Sequence, residues 1–262
     1  MLNDLKHFRA QAIIFDKDGT LIDFNAMWGG WTLYLAEQLK QASGLEVRDA
    51  LCAAFGYDQA LKQVSAQGML AASPMARLHQ LTIEVLQAQG LSGPEAQRVI
   101  EAAWCIPDPV LLAKPCTDMR QLFHALHKQG IQVAIATADD RAPTQALLEA
   151  FDVDEFVATM VCADDGIPSK PAPDMVQTIC GRLNLEPSKV MVIGDTISDM
   201  KMARASGAGL AVGVLTGVSS ARDLIPHADI LLDSVDDLHA YIETLARHET
   251  SNTQGLNPDF AF

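Results

Sequence analysis

Short apolar runs alternate with amphipathic stretches along most of this chain. Apolar runs of about four to eight residues that end at turn residues are typical of buried strands. Strands of this kind, some slightly shorter, are predicted at residues 12–15, 131–136, 156–162, 190–193, 210–214 and 230–232. Helical spacing of apolar positions predicts helices at residues 117–129, 144–149, 173–183, 198–205 and 236–247. Alternation of strand and helix predicts an α/β fold, a Rossmann-like three-layer sandwich around a parallel central sheet.

Residues 24–108 follow a different pattern, with strong helical periodicity and almost no strand-like alternation. Gly and Pro residues separate its amphipathic segments, as expected at helix ends. We therefore expect an inserted all-α domain, a bundle of four or five antiparallel helices. The predicted organisation is a core formed by residues 1–23 and 109–247, the inserted domain at 24–108, and a loose polar tail at 248–262.

Two carboxylates stand where the first predicted strand ends. Asp16 and Asp18 are two residues apart, and residues at this spacing in an extended chain point to the same side. Like charges this close favour a cation nearby, because otherwise the pKa of one of them rises. A hard cation with oxygen ligands, Mg²⁺ above all, meets that need. The alternative is an acidic turn, since Asp and Gly are common turn residues.

Polar residues also follow other strands of the predicted sheet. Thr137 comes after the strand at 131–136, and Asp195 and Asp199 come after the strand at 190–193. Lys170 lies just before a predicted helix, in a proline-rich segment. Because the carboxyl ends of parallel strands meet at one edge, we expect these side chains to converge. Each also has a structural alternative: a solvated surface lysine, or a residue that caps a helix start.

Composition and charge narrow the classes of function. The chain has 262 residues, 49% of them hydrophobic, which is enough for a full core. A net charge of −14 argues against nucleic acid and anionic membranes as partners. Five scattered cysteines suit reduced thiols, and neither a leader nor a membrane-spanning run is apparent. We therefore expect a cytoplasmic protein, a monomer or a homodimer, that acts on a small molecule.

Four ordered motifs resemble those of the haloacid dehalogenase superfamily, in its phosphoglycolate phosphatase-like branch. Asp-x-Asp-Gly-Thr matches residues 16–20, and the Thr after an apolar strand matches Thr137. The Lys-Pro-x-Pro-Asp context matches residues 170–174, and Gly-Asp-x-x-x-Asp matches residues 194–199. The inserted helical domain stands where that family places a mobile cap. Each motif is weak alone, but the ordered set is specific.

The resemblance implies roles for the acidic residues. Asp16 would be the nucleophile that forms an aspartyl-phosphate. Asp18 would be the general acid for the leaving oxygen and then the general base for water. Asp16, the backbone carbonyl of Asp18, and Asp195 would hold Mg²⁺. Asp199 would bind a metal-bound water or orient Lys170.

The resemblance also implies a phosphate-binding group. Lys170 would supply positive charge to the phosphate or to Asp16. Thr137 would donate its hydroxyl, and the backbone around Ala138 and Gly19 would complete the group.

The function expected from these motifs is a Mg²⁺-dependent phosphatase that hydrolyses a small phosphomonoester, phosphoglycolate-like or a sugar phosphate. Asp18 favours attack on phosphorus, because dehalogenases attack carbon and need no acid at this position. A phosphomutase resembling β-phosphoglucomutase would use the same phospho-aspartate and remains an alternative. A non-catalytic module that binds a phosphorylated ligand is a third. Nothing in the inserted domain predicts a particular substrate.

Overall fold

The computed structural model describes residues 5, 7–73, 75–105 and 110–253. The chain forms two compact units, one of Met1–Leu21 with Pro115–Phe262 and one of Ile22–Lys114. The second unit therefore begins and ends slightly outside the 24–108 segment expected from helical periodicity. Ile22 and Lys114 belong to the two chain segments that connect the units, where no periodic pattern marks a boundary.

Outside the inserted domain, the strands and helices of the described residues follow the alternation expected from the sequence. In chain order the strands are β1 (Ala12–Phe15), β2 (Tyr57–Asp58), β3 (Gln63–Val64), β4 (Gln132–Ala136), β5 (Val157–Val161), β6 (Val190–Gly194), β7 (Leu210–Val214) and β8 (Ile230–Leu232). The α-helices are α1 (Phe24–Ser43), α2 (Arg48–Phe55), α3 (Met69–Ala72), α4 (Met75–Ala88), α5 (Gly93–Ala103), α6 (Met119–Lys128), α7 (Arg141–Ala150), α8 (Asp174–Leu183), α9 (Ile197–Ser206), α10 (Ala221–Leu224) and α11 (Leu238–Thr253).

A six-stranded parallel sheet organises the first unit, in the order β5-β4-β1-β6-β7-β8. All four residues of β1 are buried, because this central strand has neighbours on both sides and helices on both faces. Ile14 packs with residues of α8 and α9 on one face of the sheet. Phe15 contacts Phe123 of α6, with ring centroids 5.6 Å apart. The predicted α/β fold with a parallel central sheet is confirmed.

The register of the central strands brings the predicted site residues to one edge. Phe15 pairs with Ile135 of β4 and with Ile193 of β6. The residues that follow these three strands therefore emerge side by side at the carboxyl end of the sheet. This edge is where open α/β sheets bind their ligands.

The second unit contains helices α1 to α5 and a short antiparallel hairpin, β2–β3, that the periodicity did not predict. Two-residue strands are too short to show an alternating pattern. Gly56 ends α2 at a positive φ of 79°, and the Asn25 side chain accepts the Val64 N–H at 2.7 Å. Trp31 lies fully buried at the centre of this unit, stacked on Phe55 with centroids 5.8 Å apart.

The last helix differs from its predicted bounds. It was expected to end at residue 247, whereas α11 extends to Thr253, so residues 248–253 are helical and not a loose tail. Their polar composition hid the helix, because few apolar residues mark its periodicity there. The remaining part of the predicted tail, residues 254–262, lies outside the described residues. None of the helices described here has the length and apolarity needed to cross a membrane.

Candidate active site

Three buried carboxylates meet at the carboxyl edge of the sheet. Asp16, Asp195 and Asp199 each offer an oxygen within 4.8 Å of the others. Asp16 directly follows β1 and donates its backbone N–H to the carbonyl of Ile193 at 2.9 Å. Asp195 follows β6, and Asp199 lies in the first turn of α9. Because all three residues are buried, water solvates their negative charge poorly.

Lys170 provides the positive charge for this cluster. Its Nζ lies 2.6 Å from Oδ1 of Asp16 and 2.6 Å from Oδ1 of Asp199. Burial alone would lower the pKa of the lysine, but the two carboxylates outweigh it and raise the pKa. Lys170 therefore stays charged, and the alternative of a solvated surface lysine is excluded.

One cation does not neutralise three carboxylates, and the pKa values show the imbalance. Burial raises the pKa of Asp16 to about 6, with Lys170 opposing the shift and Asp199 adding to it. Burial, followed by repulsion from Asp16 and Asp199, raises the pKa of Asp195 well above its ordinary value. A second cation at this position would relieve the repulsion.

Asp199 combines two structural tasks. Its Oδ2 accepts hydrogen bonds from the backbone N–H and the hydroxyl of Thr196, while the Thr196 hydroxyl accepts the N–H of Asp199. This reciprocal arrangement is a capping box at the start of α9. The helix-capping interpretation of Asp199 is therefore correct for one oxygen, while the other faces Lys170.

The loop after β7, where the sequence predicted no site residue, completes the surroundings of Asp195. The backbone N–H of Val218 donates to Oδ2 of Asp195 at 2.9 Å. Oδ1 of Asp195 is buried and has no hydrogen-bond partner among the described residues. A Cβ on Gly217 would overlap the Asp195 carboxylate. The loop could have been anticipated, because it follows another parallel strand at the same edge.

Gly19 lets the first-motif loop pass close to Asp195. It has a φ of +84°, and a Cβ built on it would lie 2.5 Å from Cγ of Asp195. Its carbonyl accepts the hydroxyl of Thr216 at 2.6 Å, which joins this loop to the loop after β7. Glycine is therefore required here for both its conformation and its lack of a side chain.

Gly19→Ala is expected to lower catalytic turnover more than about tenfold, because the added methyl group would overlap the Asp195 carboxylate and displace it. Gly130→Ala is the matched control: Gly130 has a φ of +68°, and a Cβ added to it would meet nothing within 4 Å. It should lower Tm through backbone strain of about 1–2 kcal/mol and leave turnover unchanged. Equal turnover in both variants would contradict the need for close approach at Gly19.

Thr137 is buried directly after β4 and continues the sheet. Its N–H donates to the carbonyl of Val161 at 3.0 Å, and its hydroxyl accepts the N–H of Asp139 at 3.1 Å. The helix-cap alternative for Thr137 is wrong, because Asp140 holds the N-cap position of α7. Ala138 is an exposed residue on the same loop.

Asp18 lies beside the three-carboxylate cluster, but its side chain is not part of it. The side chain is 21% exposed, and its Oδ1 accepts a hydrogen bond from Nζ of Lys17 at 2.6 Å. The same Nζ lies 3.1 Å from Oδ2 of Asp139. Burial alone would lower the pKa of Lys17, but Asp18 and Asp139 outweigh it and raise the pKa. Lys17 was not predicted from the sequence; a lysine between two motif aspartates was the available signal.

Two curated relatives resemble this chain, one along most of its length and the other along less than half of it. The N-acetylmuramic acid 6-phosphate phosphatase of Pseudomonas aeruginosa is 25% identical over 239 residues, which cover 89% of this chain and 95% of that protein. The phosphoglycolate phosphatase of Salmonella paratyphi A is 28% identical over 117 residues, 44% of this chain and 45% of that protein.

The fold also resembles solved structures. A HAD-superfamily hydrolase of subfamily IA, variant 1, from Geobacter sulfurreducens has a TM-score of 0.59 at 15% identity, covering 89% of this chain and 96% of that one. This similarity shows a shared fold. A profile of haloacid dehalogenase-like hydrolases matches residues 10–207, about three quarters of the chain. The chain therefore belongs to the haloacid dehalogenase-like hydrolases, as its four motifs predicted.

Proposed function

We propose that this hydrolase cleaves small phosphomonoesters through a phosphorylated Asp16, with the help of a divalent cation. The family and the phosphatase-named relatives identify the chain as a phosphoric monoester hydrolase. The observation that carries the mechanism is the position of Lys170, which bridges Asp16 and Asp199 next to an unpartnered oxygen of Asp195. A nucleophilic carboxylate, a fixed ammonium and a further anionic ligand suit phosphoryl transfer, where charge neutralisation dominates catalysis.

In the first half-reaction, a carboxylate oxygen of Asp16 attacks phosphorus. The bond from phosphorus to the leaving oxygen breaks, and Asp18 donates its proton to that oxygen. The products are the alcohol and the aspartyl-phosphate. Lys170 holds Asp16 by Oδ1, which fixes the carboxylate and balances part of the charge on the phosphoryl oxygens.

In the second half-reaction, water attacks the phosphorus of the aspartyl-phosphate. Asp18, now a carboxylate, takes a proton from that water as the bond between phosphorus and Asp16 breaks. Inorganic phosphate leaves, and Asp18 is protonated again for the next turnover. The hydroxyl of the buried Thr137 and the backbone N–H of the exposed Ala138 are proposed to bind phosphoryl oxygens.

The residues present fit a divalent cation. Asp16 and Asp195 would be carboxylate ligands, joined by the backbone carbonyl of Asp18, with Asp199 beside them. The unpartnered Oδ1 of Asp195 supports this assignment, since a buried carboxylate oxygen is costly without a partner. All the proposed donors are oxygens, which favours a hard cation such as Mg²⁺. When bound, the cation supplies positive charge that stabilises the phosphoryl oxygens.

The substrate is proposed to be a small phosphorylated metabolite. The relative that matches over most of this chain is named for a phosphorylated amino sugar acid, and a partial match is named for phosphoglycolate. Both names describe a carboxylated phosphomonoester. We therefore place carboxylated phosphomonoesters, including carboxylated sugar phosphates, first among the candidates.

A panel of phosphorylated metabolites tests this function. We expect release of inorganic phosphate in the presence of Mg²⁺, none with a chelator, and recovery when Mg²⁺ is restored. The panel includes N-acetylmuramic acid 6-phosphate and phosphoglycolate. Isomerised product that requires a bisphosphorylated activator, with little free phosphate, would favour a phosphomutase. No phosphate release from any member would contradict the proposal and favour a binding module.

A further inference from the structure

Lys17 is a fully enclosed lysine that the chemistry above does not use. Its side chain is 1% exposed, although lysines are almost never this buried without partners. Its two partners are Asp18, at 2.6 Å, and Asp139, at 3.1 Å. Neither belongs to the three-carboxylate cluster, in which Lys170 contacts Asp16 and Asp199. The edge of the sheet therefore has two separate lysine-centred groups.

Lys17 connects two loops that emerge from neighbouring strands. Asp18 lies on the loop after β1, and Asp139 lies on the loop after β4. Asp139 is itself tied to Thr137, because its N–H donates to the threonine hydroxyl. A single ammonium thus links the proposed acid–base carboxylate to the loop proposed to bind phosphate.

The contact also restricts how Asp18 can point. Oδ1 accepts from Lys17, and among the described residues no hydrogen bond occupies Oδ2. A partly exposed aspartate without such a contact would sample several rotamers. With Oδ1 held by Lys17, fewer orientations are open to Oδ2 for proton exchange with a leaving group or a water.

We propose that Lys17 is a positioning residue that holds Asp18 in the orientation needed for proton transfer to the leaving group. The inference rests on the proposed function, since it assigns Lys17 to the acid–base step of that reaction. It predicts a defect that depends on the substrate: esters whose leaving group is a strong base require the proton, whereas aryl phosphates require it little.

The test compares kcat/KM of Lys17→Met for an alkyl phosphate and an aryl phosphate, with Mg²⁺ present. This parameter covers the steps up to release of the leaving group and excludes hydrolysis of the aspartyl-phosphate. We expect a loss of about 10²-fold with the alkyl ester, at the low end for general acid catalysis, and a loss under about fivefold with the aryl ester. Asp18→Asn should show the same selectivity with a larger loss.

Two comparisons distinguish a positioning role of Lys17 from a general disruption of the structure. Lys201→Met removes an exposed lysine of α9 and should leave both esters unaffected. Binding of Mg²⁺ by Lys17→Met, followed as a rise in Tm, should match that of the wild type, because the three-carboxylate cluster does not include Lys17. If Lys17→Met does not fold, Asp139→Ala tests the proposal in its place. It should lower kcat/KM by a smaller factor, again more for the alkyl ester than for the aryl ester.

Equal losses with both esters, or no loss with either, would overturn the role of Lys17 while leaving the phosphatase function intact. A wild-type protein that releases phosphate from neither ester would overturn the proposed function itself, and this inference with it. The two failures are thus distinguishable by the wild-type measurement alone.

Discussion

Replacing Asp16 with asparagine is expected to reduce hydrolysis of an aryl phosphate by at least about 10³-fold, since loss of a covalent nucleophile typically costs this much or more. The amide oxygen can still accept the hydrogen bond that Lys170 gives to Oδ1 of Asp16 at 2.6 Å. The variant should therefore keep its local geometry. It lacks the negative charge that makes the carboxylate a nucleophile, so no aspartyl-phosphate forms.

Two measurements make this prediction specific. Initial rates of phosphate release give the loss, and intact-protein mass after rapid acid quench should show a phosphate adduct on the wild type only. Asp154→Asn is the matched control, because Asp154 is an exposed aspartate in a short 3₁₀ helix that leads into the amino end of β5, at the edge of the sheet opposite to the site. Undiminished turnover by Asp16→Asn would remove Asp16 as the nucleophile and with it the proposed mechanism.

The approach of several site residues to one another could be predicted, because a parallel sheet brings the carboxyl ends of its strands to one edge. Once β1, β4 and β6 are identified from their apolar runs, the register requires that Asp16, Thr137 and Asp195 emerge together. Lys170 could be assigned only through its proline-rich motif, since it lies on no strand. Its double contact with Asp16 and Asp199 depends on three-dimensional packing that no local pattern expresses.

Three features could not be predicted from the sequence, because they depend on a long-range contact, on a backbone group or on very short strands. Lys17 looks like a solvated turn residue in sequence, and its burial depends on Asp139, far along the chain, as well as on the adjacent Asp18. Val218 contributes a backbone N–H, which any residue except proline could supply, so its type carries no signal. The β2–β3 hairpin has two-residue strands and therefore no period to detect.

Asp195→Asn is expected to stabilise the metal-free protein and to abolish its response to Mg²⁺. Burial first, then the charges of Asp16 and Asp199, raise the pKa of Asp195 above its ordinary value of 3.8. An aspartate whose pKa is higher in the folded state makes the wild type lose stability as pH rises above about 3.8. Asparagine removes that charge and can still accept the N–H of Val218.

The gain should appear as a higher Tm at pH 7 in chelator, with about 2 to 4 °C for each kcal/mol. It should shrink as pH falls toward 4, where protonation neutralises the wild-type carboxyl as well. Asp195→Ala separates charge from structure, because it also removes the charge but leaves the Val218 N–H without its acceptor. It should gain less than Asp195→Asn, or lose stability.

Addition of Mg²⁺ should raise the Tm of the wild type above that of Asp195→Asn, the reverse of their order in chelator. A ligand at one hundred times its Kd stabilises the folded state by about 2.7 kcal/mol, and the wild type alone should show this rise. Asp195→Asn should also lose phosphatase activity, because the carboxylate charge that destabilises the metal-free protein is the same charge that binds the cation. A variant that kept the full Mg²⁺ response would place the cation away from Asp195. A variant no more stable than the wild type in chelator would show that the three carboxylates are not in electrostatic conflict.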